Sequence, residues 1–174
     1  MADVSAAHLI LVGIPGAGKS TVGRALAQRL GWPFRDLDEE ISDRVGLCVS
    51  EIFARHGEAH FRALEREATE RLARSTARSV VAPGGGWITV PGLLELVRPP
   101  SQVIWLQLSP ARALERLATQ VATRPLLAVA DPLAALTAIL KARHEFYVQA
   151  DHTLSVETMT PDETVEAILP LARP

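Results

Sequence analysis

Short strand-like segments, most of them continuous apolar runs, alternate along the chain with longer segments whose apolar residues recur every three or four positions. The strand-like segments lie at 8–12, 33–38, 79–82, 102–108 and 152–156. Such runs are typical of buried strands, whereas the longer periodic segments are typical of amphipathic helices. Because helices separate the strands, the pattern predicts an α/β protein with a five-stranded parallel sheet and helices on both faces.

The helical segments carry recognisable start and stop signals. Asp131-Pro132 and Thr160-Pro161 each place a capping side chain before a proline at the first helical position, and Gly46 ends an earlier helix. We predict helices at 21–30, 39–45, 50–55, 57–74, 93–97 and 110–119, and two more that begin after Asp131 and Thr160. No internal repeat or linker interrupts this order, so we expect a single domain over residues 1–174.

The segment between the first strand and the first helix reads Gly13-Ile14-Pro15-Gly16-Ala17-Gly18-Lys19-Ser20-Thr21 and fits G-x-x-x-x-G-K-[ST]. Such a loop wraps backbone N–H groups around phosphates, and the N-terminus of the following helix favours the negative charge. Its lysine reaches the β- and γ-phosphates, and its hydroxyl joins the shell of Mg²⁺. The motif predicts ATP and Mg²⁺ as ligands. The nucleotide-binding candidates are Gly16, Ala17, Gly18, Lys19, Ser20 and Thr21, with Ser20 also a metal ligand.

Composition narrows the class of protein. The 174 residues are 48% hydrophobic and 22% charged, as in ordinary globular domains, and the net charge of -2 gives no electrostatic case for nucleic acid. No apolar run approaches the roughly 20 residues that a membrane span needs, and we expect no signal peptide. The single cysteine, Cys48, excludes an internal disulfide and is expected to be a small buried residue. We expect a cytoplasmic enzyme that acts as a monomer on a small molecule.

Two carboxylates end the second predicted strand. Asp36 and Asp38 are two residues apart, so in an extended segment both side chains face the same side. One carboxylate suits the shell of a metal ion, and the other suits the hydroxyl of a substrate. An alternative for Asp38 is a helix N-cap, because Glu39 and Glu40 after it suit the first turn of a helix. A cap and a ligand are not mutually exclusive.

The third predicted strand runs into the triplet Gly84-Gly85-Gly86. Without side chains, these residues let a ligand or another backbone approach closely, and their N–H groups can hold an anion. The alternative is an ordinary flexible turn. Because ligands of parallel sheets bind beyond the carboxyl ends of the strands, we expect the triplet, the two aspartates and the phosphate loop to lie together.

Three arginines are candidates for anion binding. Arg143 continues an inward-facing stripe formed by Leu133, Leu136, Leu140 and Tyr147. A guanidinium on such a stripe needs an anionic partner, either an internal carboxylate or a bound anion. Arg62 follows Glu58 by four residues, so the local sequence by itself favours a surface salt bridge over a ligand contact. Arg124 lies in a polar loop, where it is either solvated or able to close over phosphates.

In order and spacing, these motifs resemble the shikimate kinase family over about residues 8 to 170. The matching pieces are the phosphate loop, Asp36-Leu37-Asp38, Glu51-Ile52-Phe53, Gly57-Glu58, Phe61-Arg62, the glycine triplet, Arg124-Pro125-Leu126-Leu127, and Arg143 with Tyr147 and Ala150-Asp151. The resemblance implies a three-layer P-loop kinase fold of the nucleoside-monophosphate-kinase type. It also implies transfer of the ATP γ-phosphate to the 3-hydroxyl of shikimate, on the route to chorismate and aromatic amino acids.

The same resemblance implies individual roles. Asp38 would activate the attacking hydroxyl, while Lys19 and Arg124 would stabilise the transferring phosphoryl group, with Arg124 in a mobile lid at about 117–130. Asp36 would order Mg²⁺ together with Ser20. Leu117 stands where the family usually has an adenine-stacking arginine, so Arg116 is the nucleotide-binding candidate in its place. Shikimate would contact Asp38, Phe53, Phe61, Arg62, Gly84, Gly85, Gly86 and Arg143, with the substrate-binding helices at about 38–74.

Two other functions compete with this interpretation. One is another small-molecule P-loop kinase with a gluconate-like acceptor, and the other is a non-catalytic, kinase-like metabolite sensor. Arg62 and Arg143 together with Asp38 favour an acceptor that carries both a carboxylate and hydroxyls. The presence of Lys19 and Arg124 favours catalysis over sensing.

Overall fold

The computed structural model describes residues 7–119 and 127–172. Within these ranges, five parallel strands form one sheet in the order β2-β3-β1-β4-β5. The strands are β1 Leu9–Val12, β2 Phe34–Asp36, β3 Val80–Ala82, β4 Gln102–Gln107 and β5 His152–Ser155. β1 lies at the centre, where Leu9 pairs with both Val80 and Gln102. The five-stranded parallel sheet predicted from the sequence is confirmed.

Helices connect successive strands and cover the sheet. Their bounds are α1 Lys19–Leu30, α2 Leu37–Val45, α3 Val49–Ala73, α4 Leu93–Val97, α5 Pro110–Arg116, α6 Pro132–Tyr147 and α7 Pro161–Ile168, and 3₁₀ turns lie at Trp87–Thr89 and Leu169–Ala172. The two helices predicted at 50–55 and 57–74 are confirmed as the two arms of α3, because Gly57 interrupts it with non-helical angles of φ 81° and ψ 172°. No helix in the described ranges is long and apolar enough to cross a membrane.

The start of α2 differs from the prediction. β2 ends at Asp36 and α2 begins at Leu37, so the strand predicted to reach residue 38 is too long. The side chain of Asp36 caps the helix by accepting hydrogen bonds from the backbone N–H groups of Asp38 and Glu39, at 3.1 and 3.2 Å. Asp36 is therefore the N-cap, and Asp38 lies in the first helical turn. The reason is that Asp36 satisfies two N–H groups that the helix itself leaves unpaired.

Two further expectations are corrected. Cys48 is exposed, because it lies just before α3 at the surface and not in the core. On α6, Leu136 and Tyr147 are buried, but Leu133 is 42% exposed, so the stripe predicted to face inward does so only beyond the first turn. The predicted caps of α6 and α7 are confirmed, since Asp131 and Thr160 accept from backbone N–H groups in the first turn of each helix.

The buried apolar residues form two clusters. The large one contains the buried residues of the sheet and of the helices packed against it, such as Leu26 of α1, Leu72 of α3 and Ile168 of α7. The small one, which we call the α2–α3 cluster, consists of Ile41, Ile52, Phe61 and Ala68. The helices that carry the predicted acceptor site therefore have a core of their own.

His8 is buried at the base of β1. Its Nε2 lies 3.1 Å from the carbonyl oxygen of Leu72 and its Nδ1 lies 2.7 Å from Oγ of Ser79. Because a carbonyl only accepts, the ring donates from Nε2, and in the neutral ring that burial favours Nδ1 accepts from the Ser79 hydroxyl. Burial lowers the pKa of His8 below 6.5. This histidine is a structural link between β1, α3 and β3.

Candidate active site

A cleft of about 1150 Å³ opens beyond the carboxyl ends of β1, β2 and β3. This is the position at which open parallel sheets bind ligands. Arg124 and the centre of the predicted lid lie outside the described residues. All the other predicted site residues line the cleft: Gly16, Ala17, Gly18, Lys19, Ser20, Thr21, Asp36, Asp38, Phe53, Phe61, Arg62, Gly84, Gly85, Gly86, Arg116 and Arg143.

The phosphate loop has the backbone shape that its sequence requires. Gly16 and Gly18 adopt φ values of 86° and 92°, which favour glycine, and α1 begins directly afterwards at Lys19. The N–H of Ala17 donates to the carbonyl of Ile14 at 3.1 Å. Pro15 therefore occupies the first central position of this turn and Gly16 the second, the arrangement that suits a type II turn. A proline in this position stiffens the loop without removing the hydrogen bond that closes the turn.

Lys19 folds back along this loop. Its Nζ donates to the carbonyl of Gly13 at 2.8 Å and to that of Ile14 at 3.2 Å. The ammonium group thus lies beside the concave backbone at the N-terminus of α1, where phosphate groups are favoured by the helix dipole. The geometry fits the phosphates of a nucleotide.

Asp38 is the carboxylate with the most perturbed surroundings in this cleft. Its Oδ1 is buried and has no hydrogen-bond partner within residues 7–119 and 127–172. Burial raises the pKa of Asp38 to about 6, with a further rise from the negative charge of Asp36 and opposition from Lys19 and Arg62. A partly desolvated carboxylate with a pKa near the working pH is suited to accept a proton from a hydroxyl.

Each glycine of the triplet lies close to a different one of the predicted site residues. A Cβ atom added to Gly84 would lie 2.5 Å from Oδ1 of Asp38. One on Gly85 would lie 2.9 Å from Nη1 of Arg143, and one on Gly86 would lie 2.6 Å from Nη2 of Arg62. All three distances are shorter than real Cβ contacts, so a side chain at any of these positions would force Asp38, Arg143 or Arg62 to shift. An ordinary flexible turn would not show this fit.

Arg62 is held by two glutamates on α3. Its Nη1 lies 2.5 Å from Oε2 of Glu65, and its Nε and Nη2 donate to Oε1 of Glu58 at 3.2 and 3.0 Å. The predicted pair with Glu58 is present, but Glu58 is largely exposed whereas Glu65 is 1% exposed. Burial raises the pKa of Glu65, and the charge of Arg62 opposes that rise. The buried pair orients the guanidinium towards the cleft.

Glu65 was not among the residues predicted from the sequence, although a signal for it exists. It lies four residues after Phe61 and three before Ala68, on the stripe of α3 that faces inward. A carboxylate on an apolar stripe needs a partner, and Arg62 is three residues away on the same face. That argument finds the pair without a structure.

Arg143 faces Gly85 with an unsatisfied group. Its Nη1 is buried and has no hydrogen-bond partner among the described residues, although the guanidinium also interacts with the hydroxyl of Tyr147. One turn later, Tyr147 is fully buried and stacks on Trp105 of β4, with ring centroids 5.4 Å apart. Of the two partners considered for Arg143, this geometry favours a bound anion over an internal carboxylate.

The other end of the cleft lies beside α5. Leu117 is buried against Gly16, where an added Cβ would lie 3.1 Å from the leucine side chain. Arg116 also lines the cleft, and its Nη2 donates to the carbonyls of Val156 and Met159 at 2.6 and 3.3 Å. The segment 158–161 after β5 lines this end too and was not predicted, although it follows the carboxyl end of a strand. Contact of Arg116 with a base stays a prediction.

Comparison with known proteins agrees with this geometry. The family model for shikimate kinase matches residues 15–172. The chain is 40% identical over 171 residues to the shikimate kinase of Synechococcus sp. (strain CC9605), covering 97% of this chain and 83% of the relative. It is 44% identical over 145 residues to that of Moorella thermoacetica, covering 83% and 82%. The chain belongs to the shikimate kinase family.

A solved shikimate kinase, that of Acinetobacter baumannii in complex with shikimate, superposes with a TM-score of 0.86 at 35% identity, covering 95% of this chain and 92% of the other. Family membership makes the chain an ATP-dependent kinase that uses Mg²⁺, and it confirms the P-loop kinase fold. The residues present fit these ligands. The glycine cradle beside Lys19 suits the phosphates, and Ser20 and Asp36, which line the same cleft, suit a hydrated Mg²⁺.

Proposed function

We propose that this chain transfers the γ-phosphoryl group of ATP to the 3-hydroxyl of shikimate, with Asp38 as the base and with Arg62 and Arg143 as the carboxylate site. The observation that carries the proposal is the fit of the glycine triplet, in which each glycine adjoins one of these three side chains. Two arginines that suit a carboxylate and an aspartate that suits a hydroxyl thus lie side by side in the cleft that the phosphate loop also lines. A carboxylated polyol needs both.

Arg62 and Arg143 approach the triplet from different helices, α3 and α6. A carboxylate bound between them receives charge-assisted hydrogen bonds, and the buried Nη1 of Arg143 gains the partner that the described residues do not give it. The rings of Phe53 and Phe61, with centroids 4.8 Å apart, form an apolar wall against one face of the acceptor. These contacts fix which hydroxyl points at the phosphate loop.

Asp38 accepts the proton as the hydroxyl oxygen forms a bond to the γ-phosphorus. The bond between that phosphorus and the oxygen bridging to the β-phosphate breaks, and ADP leaves with the electron pair. Lys19 and Arg124 offset the negative charge of the transferring group. Ser20 and Asp36 would hold Mg²⁺, which would supply further positive charge to offset the negative charge of the phosphates. The protein mainly positions groups and balances charge.

Because all the proposed residues come from one chain, we propose that the monomer is the active unit, and we place the reaction in the cytoplasm, where ATP and Mg²⁺ are available. The relatives that match over most of the chain are shikimate kinases, so a gluconate-like acceptor is not favoured. A sensor without catalysis is not favoured either, since Lys19 and Asp38 are both in place.

The test is release of ADP with ATP, Mg²⁺ and shikimate, with gluconate and quinate as control acceptors. Replacing Arg143 by alanine should raise the KM for shikimate by about 10- to 100-fold, the loss expected for a charge-assisted contact, and leave the KM for ATP nearly unchanged. Lys141→Ala, an exposed change on the same helix, should alter neither. Equal increases in both KM values would assign Arg143 a structural role, and absence of shikimate-dependent turnover would refute the activity.

A further inference from the structure

Trp87 is the first residue after the glycine triplet, and its indole is 1% exposed. Its Nε1 donates a hydrogen bond to Oγ1 of Thr69 on α3, at 2.8 Å. The Thr69 hydroxyl, itself fully buried, donates in turn to the backbone carbonyl of Glu65 at 2.7 Å. One short chain of hydrogen bonds therefore leads from the triplet to the residue that holds Arg62.

The turn after the triplet is fixed on its other side as well. The backbone N–H of Trp87 donates to the carbonyl of Gly84 at 3.1 Å. Thr89 donates to the carbonyl of Gly86 from its backbone N–H at 3.0 Å and from its hydroxyl at 2.7 Å. Trp87 is thus joined to the triplet by its backbone and to α3 by its side chain. Together with the hydrogen bond from Arg66 on α3 to the carbonyl of Pro91 at 2.6 Å, it connects the two walls of the carboxylate site.

The two walls lie close to each other at Arg62. A Cβ at Gly86 would lie 2.6 Å from Nη2 of Arg62, so the guanidinium already rests against the backbone of the triplet. The position of α3 relative to the triplet therefore sets where the Arg62 guanidinium meets the acceptor carboxylate. Neither Trp87 nor Thr69 lines the cleft, so any effect on the substrate acts through other residues.

We propose that Trp87 and Thr69 are positioning residues for the acceptor carboxylate. Their indole–hydroxyl hydrogen bond sets the distance between Gly84–Gly86 and the Arg62–Glu65 pair. This inference rests on the proposed function, because it requires the carboxylate to bind between Arg62 and the triplet. A buried indole N–H needs some acceptor in any protein, but here the acceptor is one helical turn from Glu65 and the donor adjoins the triplet.

The variants that test it are Trp87→Phe, Thr69→Val and the double variant. Loss of one buried hydrogen bond corresponds to about a fivefold effect, so each single change should raise the KM for shikimate about fivefold and leave the KM for ATP almost unchanged. Because both changes remove the same bond, the KM of the double variant for shikimate should be no higher than that of the more affected single variant. Independent effects would instead multiply to about a 25-fold increase in KM. Thr69→Ser keeps the hydroxyl and should restore the wild-type KM.

Trp32→Phe is the matched control, since Trp32 lies outside the cleft over the guanidinium of Arg78. It should leave both KM values unchanged. Unfolding of each variant is measured in parallel, and if Trp87→Phe does not fold, the comparison of Thr69→Val with Thr69→Ser decides alone.

The inference is overturned if the KM values for shikimate and ATP rise together, if Thr69→Ser behaves like Thr69→Val, or if the single effects multiply in the double variant. An unchanged KM for shikimate in both single variants also overturns it. In all these cases the wild-type enzyme still turns over shikimate, so the proposed function stands. Failure of wild-type turnover is the separate result that refutes the function itself.

Discussion

Replacing Asp38 by asparagine should stabilise the protein while it stops the reaction. The ionised form of Asp38 is unfavourable in the cleft, because its Oδ1 is buried without a partner in the described ranges and the negative charge of Asp36 lies nearby. Asparagine has a similar shape and no charge. The variant therefore keeps the packing of α2 and removes the energetic cost of ionising a buried group.

The magnitude follows from the pKa of Asp38. A value of about 6 in the folded protein against an ordinary 3.8 corresponds to about 3 kcal/mol, at roughly 1.4 kcal/mol per pKa unit. Below pH 3.8 the group is neutral in both states and costs nothing. The cost to the folded state grows between pH 3.8 and 6 and is constant above. The advantage of Asp38→Asn should therefore be about 3 kcal/mol at neutral pH, or about 6–12 °C in Tm, and vanish towards pH 4.

The assay is urea unfolding of the wild type and Asp38→Asn across pH 4 to 8, with Asp43→Asn as a control. Asp43 is an exposed carboxylate on the same helix, so its replacement should have little effect on the free energy of unfolding at any pH. In parallel, ADP release should fall by at least about 100-fold in Asp38→Asn while ATP still binds. A gain in the free energy of unfolding that does not change with pH would refute the argument that burial disfavours the ionised carboxylate. An asparagine variant that is less stable than the wild type at every pH would refute it too.

Two further outcomes are expected. Gly84→Ala should mainly lower kcat, because its Cβ would displace Asp38. Gly86→Ala should mainly raise the KM for shikimate, because its Cβ would displace Arg62. Steady-state kinetics in which Gly84→Ala changes KM and Gly86→Ala changes kcat would contradict the roles of Asp38 and Arg62. Burial lowers the pKa of His8, so this residue should reduce the free energy of unfolding as the pH falls below about 6.5. The unfolded chain then binds a proton at His8 more readily than the folded chain does. Measured by unfolding in the Asp38→Asn background, this loss should be absent from His8→Asn, and a loss that persists there would place its origin elsewhere.

The fold was largely accessible from the sequence because its signals are local. The apolar runs at 8–12 and 102–108 are bounded by turns and helices, and the phosphate loop lies between the strand and the helix that its function requires. The boundary at Asp36 was less accessible. Both carboxylates suit a helix N-terminus, and which of them caps it depends on where β2 stops pairing with β3.

The site was accessible in its residues but not in its contacts. The match of each glycine in the triplet to Asp38, Arg143 or Arg62 joins segments far apart in the chain, and no local pattern contains it. The bond between Trp87 and Thr69 is of the same kind, since a threonine inside a helix carries no sequence signal for an indole 18 residues away. For Glu65 the signal was present, because the apolar stripe of α3 contains it.

The α2–α3 cluster has a consequence for how such a chain can diversify. Ile41, Ile52, Phe61 and Ala68 pack against one another, and the phosphate loop is supported by the separate large core. A sequence change that reshapes acceptor recognition on α3 therefore leaves the packing of the nucleotide half intact. The cluster is joined to the rest of the protein through Leu37 and Leu72 in the large core, and through the hydrogen bonds of Trp87 to Thr69 and of Arg66 to the Pro91 carbonyl. Selection can then alter the α3 part of the acceptor site with little effect on the phosphate loop, whereas Arg143 and the glycine triplet lie outside the cluster.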